Sequence, residues 1–505
     1  MIKLIYRIES DYMSKKRMLI VTSVTLSVVT ISLGIVKLYQ TYALSNYIGT
    51  VTDTGIDVYI NDDSYASIPA NGSSNVYYML TNTNPGTVKY GVAYQTTSGV
   101  TVKVYDTSED PATGTIEEND KKYIKLHLEN KNSTNKTIEL STVLGYENGG
   151  DLVVPSGVTL VTDTYTPPPT AAEYITKLYT TASKTTVTNN SITYNTAPSV
   201  SLMNDRLGGT TTDLDGGNIR YYGASPNNYI YFNCSDYSNQ TSSTCETWRI
   251  IGVFDGKLKL IRGSQIGTYS WDNKDTSTGA ESNFGKNDWT TARLMKLLNP
   301  SDYYTTDSND NNLGQGLYYN SASGKCYSGK NNATVDCNFT STGIKNDITR
   351  NMIAETTYNL GGWKRNTVYP NLMYEKERGT TVYTGRPTTP WTGKIALAYT
   401  SDYGYAADLN QCKDKTLYDY NNSTCTSNNW MKAIITNNGR NSGWLLTPYC
   451  STSSNVWYVY PVGNVYFNYT VYSAFGAVPV LSLSSELGIE SGGDGSSSNP
   501  YKLSA

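Results

Sequence analysis

The sequence predicts a multidomain chain: an N-terminal transmembrane helix, then an all-β sandwich, then a larger α+β domain with long loops. Three observations carry this expectation. The length of 505 residues exceeds one ordinary domain. The uncharged run Met18 to Val36 is about long enough to cross ~30 Å of hydrocarbon as a helix. All seven Cys lie at or after Cys234 and all eight Trp at or after Trp248, so the chain changes character near its middle.

Taken in order, residues 1–17 are a cytoplasmic leader, because Lys15, Lys16 and Arg17 precede the apolar run and positive charge marks the cytoplasmic side. Residues 18–37 are a transmembrane anchor or a signal segment. The alternative to a retained anchor is cleavage after "TYA" at Ala43, a poor small-x-small site, and the length of the run favours the anchor. The expected location is the cell membrane, single-pass, with the N-terminus in the cytoplasm and the body extracellular.

Residues 48–163 alternate apolar and polar positions in short segments: Val76, Tyr78 and Leu80 on one face, Val102 and Val104 on another, and Ile124, Leu126 and Leu128 on a third. Gly, Asn, Pro and Asp separate them at the spacing of a β-sandwich. The pattern resembles the immunoglobulin-like spacer domains of bacterial surface proteins. His127, the one histidine, alternates outward and reads as a solvated strand residue. Residues 164–202 read as a Pro-containing linker, stiffened by Pro167, Pro168 and Pro169, with a short helix in the Ala/Glu/Leu/Tyr run at 171–183. In residues 203–489, "ETWRIIGVFDGKLKLIR" reads as a hairpin turning at Asp255-Gly256. "NDWTTARLMKLLNP" reads as a helix capped by Asn287 or Asp288 and stopped by Pro300; a second helix carries Ile344, Ile348 and Met352. Residues 490–505, rich in Gly and Ser, read as a flexible tail.

Composition bounds the chemistry. A net charge of -3 offers no basic patch, so no nucleic-acid partner is expected. The 45 Tyr against 6 Phe suit surfaces that stay wet until they bind. Cys234 with Cys245, Cys326 with Cys337, and Cys412 with Cys425 form three sequence-local couples, each expected as a disulfide in an oxidising compartment. Cys450 is left over and reads from the residues alone as a buried free thiol. With a single His in the spacer and no GxSxG, Walker A or dinucleotide fingerprint, no catalytic residue, cofactor or enzymatic activity is expected. The acidic stretch from Asp307 has Asn312 and Tyr318 where an EF-hand needs Gly and Glu, so it reads as a solvated loop, with a loose calcium-stabilised loop as the alternative, and no metal ligand is assigned.

"TWRIIGVFDGKLKLI", "SWDN", "NDWTTARLMKLLN", "WTGKIALAYTSDYGYA", "NNWM", "GWLLTP" and "GAVPVLSL" occur in order between Met203 and Ile489. Together they resemble an uncharacterised domain of exported gut-bacterial and phage proteins, itself similar to the C-type-lectin-like fold of the formylglycine-generating-enzyme type. The resemblance implies a C-type-lectin-like ligand-binding domain, with some relatives targets of diversity-generating retroelements. Those elements rewrite adenine-containing codons near the gene's 3′ end into Asn, Tyr, Ser, Thr, Asp or Cys. The family's closing motif carries an arginine where Val478 stands here. The relatives' oxidase chemistry needs a cysteine pair, and Cys412 and Cys425 are better explained as a local bridge.

The stretch from Tyr449 to Ser473 has the composition of such a variable face, and the resemblance implies that Cys450 within it is the product of an adenine-rich codon. With "VYFNYTVY" as a strand, Val465, Phe467, Tyr469 and Val471 share one face and Tyr466, Asn468, Thr470 and Tyr472 the other. Trp457, Val459, Gly463 and Val465 are the expected scaffold. The expected ligand contacts are Tyr449, Ser451, Ser453, Tyr458, Tyr460, Tyr466, Asn468 and Tyr472. The function these readings predict is a membrane-anchored surface protein, adhesin- or receptor-like, that displays this face to a protein or glycan ligand on another cell, phage or host surface. The alternatives are a structural envelope or appendage subunit and a formylglycine-generating-type oxidase.

Overall fold

The structure is a computed structural model that describes residues 65–82, 86–146, 152–206, 217–273, 284–305, 313–365, 367–386 and 390–504. The expected leader (1–17) and transmembrane segment (18–37) lie outside the described residues, as does the acidic loop from 307 to 312. Among the described residues no helix is long and apolar enough to cross a membrane. The longest has 11 residues and spans about 16 Å, roughly half of a hydrocarbon core. The single-pass expectation is corrected to that extent: no spanning helix stands among the described residues.

The chain forms two compact units, divided between Pro167 and Pro168. In the first, one sheet orders strands Tyr65–Ile68, Lys136–Tyr146, Val88–Gln95 and Thr113–Ile116, with Val158–Leu160 beside Val88–Gln95. The other orders Gly72–Thr81, Lys121–Asn130, Val100–Tyr105 and Thr164–Tyr165. Alternation explains both, since Ile124, Leu126 and Leu128 are wholly buried and Tyr78 and Leu80 face the same interior. His127 departs from expectation. Strand Thr164–Tyr165 runs beside Val100–Tyr105, and Tyr165 stacks on the imidazole with ring centroids 3.6 Å apart while Tyr105 meets it edge-on. The ring is only 5% exposed, with Nδ1 2.8 Å from Asn75 Oδ1.

The second unit is also mostly sheet, which corrects the expected α+β architecture. Its nine-stranded sheet runs in the order Thr185–Asn189, Ile192–Ala197, Leu202–Asn204, Ile219–Tyr221, Glu246–Phe254, Lys257–Arg262, Val480–Ser482 and Ile395–Ala396, with Tyr229–Phe232 also on Glu246–Phe254. A five-stranded sheet orders Gly267–Tyr269, Phe475–Ala477, Gly443–Pro448, Val456–Val459 and Val465–Tyr466. Helices are short and secondary. The helix expected from Asp288 begins as a 3-10 turn at Trp289–Thr291, capped by Asp288, and only Arg293–Leu298 is α-helical. The next is reduced to Asp347–Met352, because Thr356–Tyr358 is drawn into a strand pair with Trp391–Gly393. The predicted Asp255-Gly256 turn is present, with φ of 49° and 70° as a two-residue hairpin of this kind requires.

Two segments expected to lie outside the folded domains, the linker and the tail, are built in. The linker contributes helix Ala171–Thr181, held by a Thr170/Glu173 capping box, and a hairpin that extends the nine-stranded sheet. The tail closes back on the unit. Leu503–Ser504 pairs with Gly488–Ile489, Gln240 bonds both the N–H and the C=O of Leu503, and Tyr501 is buried. Gly and Ser supply its turns, while Tyr501 and Leu503 supply the burial that composition alone does not register.

Four buried charges pin the nine-stranded sheet to helix Thr400–Tyr405. Asp402 accepts from Arg220 Nη1 at 2.8 Å and from Lys259 Nζ, and Arg220 Nε reaches Asp205. Two acids and two bases balance, as burial demands.

Candidate functional site: an aromatic face on the five-stranded sheet

Strand Val456–Val459 lies between Gly443–Pro448 and Val465–Tyr466, and all four of its residues are buried. Trp457 and Val459 enter one core cluster, Val456 and Tyr458 the other. It is a central strand covered on both faces. Trp457, Val459, Gly463 and Val465 are buried, as scaffold should be, but Tyr458 is 1% exposed and its hydroxyl donates to Asn468 Oδ1. The expected contact role of Tyr458 is corrected: it is the floor of the site.

On that floor the register sets Trp444, Tyr458 and Tyr466 side by side across three strands. Phe475 lies 4.5 Å from Trp444 and 5.0 Å from Tyr458 between ring centroids, and Tyr469 lies 5.3 Å from Phe475. Tyr460 meets Tyr466 at 5.7 Å, and Tyr418 meets the same ring at 4.8 Å with the two hydroxyls 3.2 Å apart. Tyr460 is 41% exposed, Tyr469 47% and Val462 51%, and Asn468 is also exposed. The result is an aromatic face with hydroxyl and amide groups at its rim.

The hairpin tip is fixed. Tyr460 N–H donates to Asn464 C=O, Gly463 N–H to Tyr460 C=O, and the buried Tyr403 hydroxyl to Gly463 C=O. Gly463 has φ of 107°, and a Cβ there would stand 2.7 Å from Thr426 Cγ2. Thr426 follows Cys425, which is bonded to Cys412, and Tyr418 lies between the two half-cystines. All three expected disulfides are formed, and each closes a loop in this second unit.

The other expected contacts fall elsewhere. Tyr449 stacks on Phe467 at 4.2 Å and meets Trp457 edge-on. The loop after it is held by its backbone: Asn287 Nδ2 donates to the carbonyls of Tyr449, Thr452 and Asn455, and Arg386 Nη2 to that of Ser453. Ser451 is exposed on this loop and Ser453 half-buried. Tyr472 is half-buried and stacks with Phe284 at 6.1 Å. Of the eight expected contacts, Tyr460, Tyr466 and Asn468 therefore share one face. Tyr418, Tyr469 and Phe475 were missed. Strand alternation carried to Tyr472 puts Tyr469 on the packing side, but the strand ends at Tyr466. Tyr418 is brought in from 48 residues away and leaves no local signal.

Cys450 has no disulfide partner; its thiol donates to Thr381 C=O, and burial pushes its pKa up to about 12. It is the reverse of an activated thiolate. Comparison with known proteins gives no match to a family model, a curated protein or a solved structure.

Proposed function

We propose that the second unit is a binding module that engages a partner through the aromatic face of Tyr418, Tyr460, Tyr466, Tyr469 and Phe475, in an oxidising compartment that suits its three disulfides. The observation that carries this reading is the pair of exposed rings, Tyr460 and Tyr469, packed on a floor that is itself buried and hydrogen-bonded. Such rings offer large apolar area at small entropic cost, with hydroxyls for orientation. The partner chemistry favoured is a protein surface. Tyr460 and Tyr466 meet at 68°, Tyr469 and Phe475 at 72°, so the rings stand edge to face and form no flat platform for stacking a sugar.

A photo-crosslinking residue at Tyr469, compared with one at the exposed Ile348, identifies what docks there. The purified partner should then bind the Tyr460→Ser/Tyr469→Ser variant about 30-fold or more weakly. Equal adducts at both positions, adducts only with glycans, or unchanged affinity in the double variant would overturn the reading. Diversification by a retroelement belongs to the same proposal. Its test is the gene's neighbourhood, where a reverse transcriptase and a 3′ repeat differing only at adenines should be found, with the Tyr458 codon spared because that ring is structural.

A further inference from the structure

A second feature of this unit is independent of the aromatic face. Arg249, on strand Glu246–Phe254, is 7% exposed, and among the described residues no carboxylate pairs with it. Its Nε donates to Asn228 Oδ1 and its Nη2 to Pro226 C=O, leaving Nη1 without a protein partner. The guanidinium lies 3.6 Å from the ring centre of Tyr229 and 4.9 Å from that of Trp430. Burial lowers its pKa to about 10, which still leaves it charged at neutral pH. Three other buried cations, Arg220, Lys259 and Arg262, each hold an acid.

Arg249 lines an open cleft of about 460 Å³ with Tyr229, Thr247, Arg262, Trp430 and Ile434. Glu246 is at the same cleft, but it is spent: Arg262 donates to it from Nε at 2.9 Å and Nη2 at 3.2 Å, and Trp248 Nε1 donates to it at 3.1 Å. Two arginines against one glutamate leave the lining one positive charge in surplus. A buried charge without a counter-ion is costly, and a charge-assisted hydrogen bond from an anion offsets that cost.

We propose that this cleft is a binding site for a small monoanionic ligand, a carboxylate seated on Arg249 with its ring or apolar body against Tyr229 and Ile434. One surplus charge matches a monoanion better than a phosphate dianion, and the apolar wall gives the remainder of the ligand somewhere to lie. Calorimetry with benzoate and glucuronate, alongside the neutral benzamide and glucose and inorganic phosphate, tests this on the whole chain. At least one carboxylate should bind with Kd of about 1 mM or tighter, and the neutral counterparts and phosphate should not. Arg249→Met should abolish that binding. Because Arg249→Met removes a buried side chain and can cost folding, Ala433→Glu is the second variant. It sets a carboxylate on the exposed rim of the cleft and should weaken binding about tenfold, while Ala433→Gln should not. Equal binding of the neutral compounds, stronger binding of phosphate, no saturation by either carboxylate, or affinity indifferent to Arg249→Met and Ala433→Glu would overturn the proposal.

Discussion

Asp402 shows how much one side chain can hold together. Burial opposes its ionisation, but the Lys259 ammonium and the Arg220 guanidinium overcome that and hold the carboxyl down at about 2 against an ordinary 3.8. Its contribution is therefore fully present above the ordinary value and is lost only as pH falls toward 2. Asp402→Asn would strand the buried Lys259 and leave Arg220 with Asp205 alone, and denaturant titration of the second unit should show a loss of about 3–5 kcal/mol. A loss below about 1 kcal/mol would mean that the four charges relax independently. None of this was visible in the sequence, where Asp402 is one acid in "AYTSDYGYA" and its partners lie 143 and 182 positions away. The disulfides were readable, because half-cystines 11 and 13 residues apart close local loops. Tyr458 was misread for the opposite reason: its residue type suits a paratope, yet its neighbours on both flanking strands cover it.

The same misreading has an element-scale cause. Alternation identifies a strand with one wet face, and Val456–Val459 is a middle strand with none. Its continuous "VWYV" run was the available sign of two-sided burial. The first unit was readable by alternation because its strands have one face inward. What builds the aromatic face is the hairpin tip and the disulfide loop acting together, Gly463 packed on Thr426 and Tyr418 on Tyr466. Two predictions belong here. Gly463→Ala puts a side chain at a positive φ and against Thr426, so it should destabilise by about 1–3 kcal/mol and weaken partner binding together. Cys412→Ser/Cys425→Ser should cost about 3 kcal/mol in chemical denaturation, and hydrogen exchange should quicken around residues 417–420. Unchanged exchange there would show that the loop is held by packing on Leu417 and Tyr420 alone.

At the scale of the molecule, the two units carry titratable groups that respond in opposite directions to mild acid. In the first, burial and Lys103 depress the His127 pKa, and Glu129 opposes them only in part. The unfolded chain thus takes up the proton first, so His127 favours folding above about 6.5 and that contribution is lost as pH falls through its folded value. In the second, burial raises the Glu377 pKa against the pull of Arg378 and the hydroxyls of Ser401 and Thr447. Its penalty is felt as pH rises through the folded value and is relieved on acidification, while Asp402 stays ionised throughout this range. Calorimetry should therefore resolve two transitions that respond differently as pH is lowered from 7 to 5, the first unit's midpoint falling and the second's holding or rising. His127→Phe keeps a ring against Tyr165 and leaves Asn75 its bond from Tyr105, so it should flatten the first unit's response without touching the second's. A single transition at every pH, or a first-unit midpoint that falls equally in His127→Phe, would refute this division of the chain's acid response.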